Sequence, residues 1–339
     1  MFNRLHTLCE IDGISGQETA VAQAVIAQIE GHCDYHIDPL GNIVAFKKGR
    51  AVPKNRIMLS AHMDEVGLLI TGIKEDGMLR FTTVGGIDAR VILGRAVTVG
   101  SKRLPGVIGT KAVHMQSADE RKTAVPADKL YIDIGAKDKD DAMRHVQPGD
   151  MAAFSGRYLP FGNEMIAAKA LDDRIGCSLL CELLQGELPY DAYFTFCVQE
   201  EVGLRGAKAA AFTVDPDIAI VLEATTAADL PDVAEEKRVC KVGGGPVVTI
   251  MDRGTIYDRG LVDLAFRLAA ENGIPCQTKS MVAGGNDAGA IHVSRGGVRT
   301  VAVSLPARYI HSPSSVVAKK DVEDTLRLVQ LLSEKAAEL

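Results

Sequence analysis

The chain has no tryptophan, no pair of cysteines in a CxxC spacing, no long run of basic residues and no long apolar stretch. Each absence removes a class of protein. Its seven cysteines, Cys9, Cys33, Cys177, Cys181, Cys197, Cys240 and Cys276, are odd in number and widely scattered. That pattern argues against a disulfide framework and a closed thiolate zinc site, and reads as reduced residues buried in a core. Cys177 and Cys181 lie one helical turn apart but have no second pair with which to enclose a metal. Lys and Arg are dispersed in a chain of net charge −6, so neither a phosphate-backbone footprint nor a polybasic membrane patch is visible. No nucleic-acid or membrane partner is expected. The longest apolar segments, such as Ile218 to Leu222, fall far short of the roughly 20 residues that span a bilayer. The opening MFNRLHTLCEIDG sets Phe2, Leu5 and Leu8 at helical spacing and lacks the apolar centre and cleavage site of an export signal. A cytoplasmic location is expected.

What is present is an ordinary globular composition, 47% hydrophobic and 24% charged over 339 residues, which suits two domains or one enlarged one. Residues 1–71 give a helix (Ala20 to Ile29), a short strand (Asn42 to Phe46) and an apolar strand (Ile57 to Ala61). Over 72–162 helical periodicity nearly vanishes. Short Val, Ile and Thr segments recur there between Gly and Pro turns, as in AVTVGSKRLPGVIGTK, and predict a small inserted β domain. From residue 163 strands and helices alternate again: helix Asp172 to Leu184, strand Tyr193 to Val198, helix Leu204 to Phe212, strand Ile218 to Leu222, helix Gly260 to Asn272, strand Val298 to Ser304 and helix Lys320 to Ala337. Continuous apolar strands separated by helices predict an α/β fold, a mostly parallel sheet sandwiched by helices. The catalytic domain would then be discontinuous, 1–71 plus 163–339, with a β-barrel-like domain inserted at 72–162.

Acids and histidines recur in one structural place, just past an apolar strand. IMLSA leads into His62 and Asp64, YFTFCVQ into Glu200 and Glu201, IAIVL into Glu223, and VRTVAVS through LPARYI to His311. Loops at the carboxyl ends of strands in an open α/β sheet converge on one crevice. LDDRIG adds Asp172 and Asp173 at a helix start, where the macrodipole favours anions. Any one of these clusters alone reads as a solvated loop; the shared placement argues for a site. Two histidines with several carboxylates and no cysteine form an N/O ligand set suited to Zn, Co or Mn in an open, hydrolytic site. Glu200 and Glu201 point to opposite sides of an extended segment, so one can ligate while the other handles protons. Asp64, two residues beyond His62, is placed to accept the free ring N–H of that ligand.

AHMDEVG (Ala61 to Gly67), KALDDRIG (Lys169 to Gly176), QEEVGLRGA (Gln199 to Ala207), GGNDAGAI (Gly284 to Ile291) and YIHSPSS (Tyr309 to Ser315), in this order and spacing, resemble the TET-type (tetrahedral) aminopeptidases, some labelled glutamyl aminopeptidase or endoglucanase. The resemblance spans nearly the whole chain. It implies a metallo-aminopeptidase with two divalent ions per subunit, zinc first, cobalt or manganese as alternatives. His62, Asp172 and Glu223 would hold one ion and Asp172, Glu201 and His311 the other. Glu200 would be the general base, Asp64 would assist catalysis, and Asp172 and Asp173 would be joined by a cis peptide. The inserted domain would serve dimerisation, and the subunits would build a dodecamer around the active sites. The chain departs from the family at Glu223, more often Asp, and at Gly285-Asn286-Asp287, where Gly-Thr-Asp is more familiar.

Two ions sharing a carboxylate can also share and acidify a water, the two-metal arrangement of aminopeptidases. A metal-dependent carboxypeptidase or deacylase is the first alternative. A glycoside hydrolase needs only two carboxyl groups and usually no metal, which leaves the histidines unexplained. His6, His32, His36, His114, His145 and His292 lack such placement and read as ordinary surface or hydrogen-bonding residues. Gly243-Gly244-Gly245 lacks dinucleotide-binding spacing. Asp252, Arg253 and the segment Met281 to Asn286 line the substrate pocket by resemblance, with a surface-loop reading equally open.

Overall fold

The computed structural model describes residues Met1–Leu339. Helices α1 (Phe2–Glu10) and α2 (Thr19–Ile29) come first. In α2, Val21, Val25 and Ile29 recur every fourth residue and are buried, which seats one face of the helix on the core. Strands β1 (Asp34–Ile37), β2 (Ile43–Lys47) and β3 (Ile57–His62) follow. Next come β4 (Gly67–Ile73), β5 (Leu79–Val84), α3 (Ala89–Ile92), β6 (Ala96–Val99), β7 (Leu104–Gly109), β8 (Tyr131–Asp133), α4 (Lys139–Met143) and β9 (Met151–Phe154). The chain continues through β10 (Leu159–Phe161), β11 (Met165–Ala168), α5 (Leu171–Gln185), β12 (Ala192–Cys197), α6 (Arg205–Val214), β13 (Ile218–Thr226) and β14 (Val247–Val248). It ends with α7 (Arg259–Glu271), α8 (Ala288–Ile291), β15 (Arg299–Ala307), β16 (Ser315–Ala318) and α9 (Lys319–Ala337).

Seven strands form the main sheet in the order β1-β2-β12-β3-β13-β15-β14. The four inner strands β12, β3, β13 and β15 run parallel. The sheet is less uniformly parallel than the sequence predicts, because β1, β2 and β14 join antiparallel at the two edges. Connection length explains the β1–β2 pair: the two strands are joined by a tight turn in which the Asp38 carboxylate accepts the amides of Leu40, Gly41 and Asn42, whereas parallel neighbours need long crossovers. Both faces are covered, and β13 is buried from Ile218 to Thr225.

Strands β4 to β9 close into a six-stranded barrel in the order β4-β5-β8-β7-β6-β9. Alternation in β5 drives it: Leu79 and Phe81 are buried and Arg80 and Thr82 exposed, the period of a strand with one wet face. The barrel packs its own 15-residue apolar cluster, apart from the 63-residue cluster around the sheet. Barrel strands run from Gly67 to Phe154; β10 instead pairs with β11, and β11 with β16. All seven cysteines are unpaired, five of them buried.

Candidate metal centre and active site

Five of the six predicted ligand and base residues arrive on the inner strands or just beyond them. His62 is the last residue of β3. Glu200 and Glu201 follow β12 after Gln199, whose positive φ turns the chain. His311 stands on the loop after β15, also at positive φ. Glu223 corrects the sequence reading, which placed it past the end of its strand: it lies inside β13, because β15 continues the pairing as far as Thr226–Ala307. Asp172 and Asp173 open α5 through a cis peptide bond.

These side chains meet around Asp172. The His62 Nε2 lies 3.3 Å from Asp172 Oδ1 and 3.3 Å from Glu223 Oε1. On the other side, the His311 Nε2 lies 3.3 Å from Asp172 Oδ2 and 3.4 Å from Glu201 Oε1. One carboxylate thus serves two triads, His62–Asp172–Glu223 and Asp172–Glu201–His311, with ligand atoms of each within 4.8 Å of one another. Glu200 groups with His62 and Glu201 on the same scale. Both imidazoles are set for ligation. The His62 Nδ1 donates to the carbonyl of Asp64 at 3.1 Å, and the His311 Nδ1 to the carbonyl of Gly86 at 2.8 Å, so each ring turns an Nε2 lone pair to the carboxylates when neutral and an N–H when protonated.

The Asp64 carboxylate faces the His62 ring nitrogen for which it was predicted, with its own backbone carbonyl as the nearer acceptor. The carboxylate stands 3.4 Å from that ring nitrogen. It also accepts the amides of Glu200 at 3.0 Å and Glu201 at 3.1 Å and the Ser15 hydroxyl at 2.6 Å. It therefore fixes the two-glutamate turn. Behind it, the fully buried Arg174 guanidinium donates to the carbonyls of Met63, Leu8 and Ile11, and Lys169 pairs with Glu65 at 2.6 Å. This buried network holds the chain on either side of His62.

Charge is crowded at the centre. Burial, reinforced by the Asp172 charge, pushes the Glu201 carboxyl up to about 7. Burial also pushes Glu200 and Glu223 well above the usual carboxylate range, Asp287 and Glu201 adding to Glu200 and Asp172 to Glu223. For Asp172 burial is outweighed by hydrogen bonds from His311 and His62, which hold it below its ordinary value. Glu223 Oε2 is buried with no hydrogen-bond partner. Carboxylates drawn together around two imidazoles, one oxygen orphaned, fit divalent cations: positive charge would relieve the repulsion and satisfy that oxygen.

The centre floors a cavity of about 410 Å³. Its walls include residues that the sequence reading did not single out: Gly86, Asp88 and Val91 from the barrel, and Lys279 from the segment after α7. Strand-end patterning could not reveal them, since they come from segments far away in the chain that do not follow an inner strand. Of the segment Met281 to Asn286, the residues from Ala283 onward line the cavity, while Met281 and Val282 are exposed. Asp252 is buried and structural: it accepts the amides of Gly254 and Thr255 and the Tyr257 hydroxyl. Arg253 is not among the lining residues. The glycine run closes a turn, with the Gly243 and Gly245 amides donating to Asp321.

Residues 41–328 match the profile of the M42 glutamyl aminopeptidase family. Among curated proteins, the lysyl aminopeptidase of Pyrococcus furiosus is 32% identical over 97% of this chain and 95% of its own length. Among solved structures, a TET aminopeptidase from a marine sediment Thaumarchaeota archaeon superimposes with a TM-score of 0.94 at 36% identity, covering 98% of this chain and 96% of the other. The TET1 peptidase of Pyrococcus horikoshii, which can assemble into a tetrahedron or a large octahedral shell, superimposes with a TM-score of 0.86 at 36% identity over 98% of both chains.

Proposed function

Since the chain belongs to the M42 aminopeptidase family, we propose that it removes the N-terminal residue of peptides at a dinuclear centre, with Glu200 as the proton carrier. The observation that carries this reading is the pair of imidazole–carboxylate triads joined through the two oxygens of Asp172. His62, Asp172 and Glu223 would hold one divalent ion and Asp172, Glu201 and His311 the other, zinc first, with cobalt or manganese as alternatives. Bound there, the ions supply Lewis acidity to the scissile carbonyl and acidify the attacking water.

The chain's own residues supply the remainder. Glu200 carries no ligand role in either triad, and its raised affinity for protons suits a group that takes one from water and returns it to the leaving amine. Asp64 acts through position: it anchors the amides of Glu200 and Glu201, keeping the base and its ligating neighbour on their separate sides. Gly86 fixes the tautomer of His311. The glycosidase reading does not account for two imidazoles aimed at a shared carboxylate.

The barrel domain, taken as 72–162 between the catalytic segments 1–71 and 163–339, is assigned to dimerisation, and twelve subunits to the assembly. Exposed Val107, Val113, Met115 and Met143 on the barrel support such contact. Seven unpaired thiols suit a cytoplasmic setting. The test is chelation followed by refilling with single metals, scored on amino-acid p-nitroanilides and their N-acetyl forms. Activity that vanishes on chelation, returns on refilling and is confined to the free amine is expected. Equal turnover of the acetylated substrates would instead mark a deacylase.

A further inference from the structure

We propose that Lys279 makes this enzyme selective for peptides beginning with an acidic residue, its ammonium receiving the side-chain carboxylate of that residue. The inference rests on the aminopeptidase reading of the same cavity. Family membership leaves the preference open even in the sign of its charge, since the profile is described as glutamyl and one relative as lysyl. The pocket must decide it.

The floor residues Asp172, Glu201, Glu223 and His311 are committed to the metal centre, and Glu200 to proton transfer. Two other charged residues line the cavity, Asp88 and Lys279. The Asp88 carboxylate is occupied: it accepts the Arg90 amide at 2.9 Å and the Arg90 Nε at 2.9 Å. Lys279 is different. Its ammonium makes one hydrogen bond, to the Ala283 carbonyl at 3.3 Å, and no ion pair. The acids whose fields reach it are Asp252 and Glu223. Asp252 has both oxygens engaged, by the Gly254 and Thr255 amides and by the Tyr257 hydroxyl, and Glu223 faces His62. Burial lowers the pKa of Lys279, the mark of an ammonium partly stripped of water without a fixed counter-ion.

An ammonium has three donors, so two remain for a ligand. A peptide with its first bond at the floor puts its first side chain inside this cavity and its far end outside. An acidic side chain there gains a charge-assisted hydrogen bond and neutralises Lys279; a basic one meets a like charge.

The experiment measures kcat/KM of the metal-refilled enzyme on Glu-, Asp-, Leu- and Lys-p-nitroanilide, with Lys279→Met, Lys279→Arg and Lys279→Glu alongside. Wild type is expected to favour Glu over Leu by about tenfold or more and to cleave Lys least, the scale of a partly desolvated charge pair. Lys279→Met should reduce the Glu-to-Leu ratio about 100-fold, mostly through KM, Lys279→Arg should keep the acidic preference, and Lys279→Glu should shift it toward Lys. The proposal is overturned by equal use of Glu and Leu in wild type, or by a Lys279→Met loss that is uniform across substrates. Cleavage of Leu without Glu sinks this proposal alone; no cleavage of any free-amine substrate sinks the aminopeptidase reading with it.

Discussion

Glu200 and Glu201 are adjacent in sequence yet separated by surroundings: Glu201 reaches His311, while Glu200 belongs to neither shared-carboxylate triad. Glu200→Gln is therefore expected to keep both ions, measured as metal content after gel filtration, while kcat falls about 10²–10⁴-fold, the usual share of general acid–base catalysis. Loss of metal together with activity would make Glu200 a ligand instead. Asp287 gives a test that is independent of turnover. Both of its oxygens are buried without a hydrogen-bond partner, and burial pushes its carboxyl up to about 7. The folded state then holds a proton that the unfolded chain releases near the ordinary aspartate value of about 3.9. Its stabilising contribution is complete below that value and is lost as pH rises toward 7, by up to about 1.4 kcal/mol per pH unit. In chelated protein, the stability of Asp287→Asn relative to wild type should thus rise between pH 5 and pH 7 and level off above. A pH-independent difference in urea unfolding would rule this out.

At the scale of elements, the site lies where β3 and β12 end beside Glu223 within β13, but one of its walls belongs to the barrel. The turn after β5 carries Gly85 at φ +81, where a Cβ would lie 2.7 Å from Val66 Cγ1 and 3.3 Å from Glu201 Cβ. Gly86, next in the chain, accepts the His311 N–H. Gly85→Ala is expected to strain this turn and loosen the triad of Asp172, Glu201 and His311 before that of His62, with metal affinity at the former falling about 10–100-fold. Calorimetric titration of the chelated protein would then resolve one weakened and one nearly unchanged site. Two unaltered sites would show that the barrel does not position His311.

For the whole molecule, the barrel is both a wall of the cavity and the predicted contact between subunits. Light scattering should give a mass near twelve times the 36.2 kDa chain. A double change of the exposed Val113 and Met115 to Asp should yield smaller species with the monomer fold intact by circular dichroism, since it places charge in an apolar contact. A wild-type monomer would remove the dimerisation assignment, leaving the chemistry of the site untouched.

Much of this protein was determined locally. The apolar run from Ile218 to Leu222 specified a buried strand, Val21, Val25 and Ile29 specified one face of a helix, and short segments between Gly and Pro turns marked a β domain, since side-chain period and turn chemistry act over a few residues. Strand-end placement also drew attention to His62, Glu201, Glu223 and His311, because strands of one parallel sheet end on the same side, and a helix start drew attention to Asp172. Register and long-range packing lay beyond it. That Glu223 sits inside β13 depends on how far β15 extends the pairing, and that Asp64 holds the glutamate amides as well as facing His62 depends on the remote turn after β12 folding onto it. Lys279, Gly86 and Asp287 carry no strand-end signature of their own. Only the folded chain, by bringing remote loops over one metal-binding floor, gives them a neighbour on which to act.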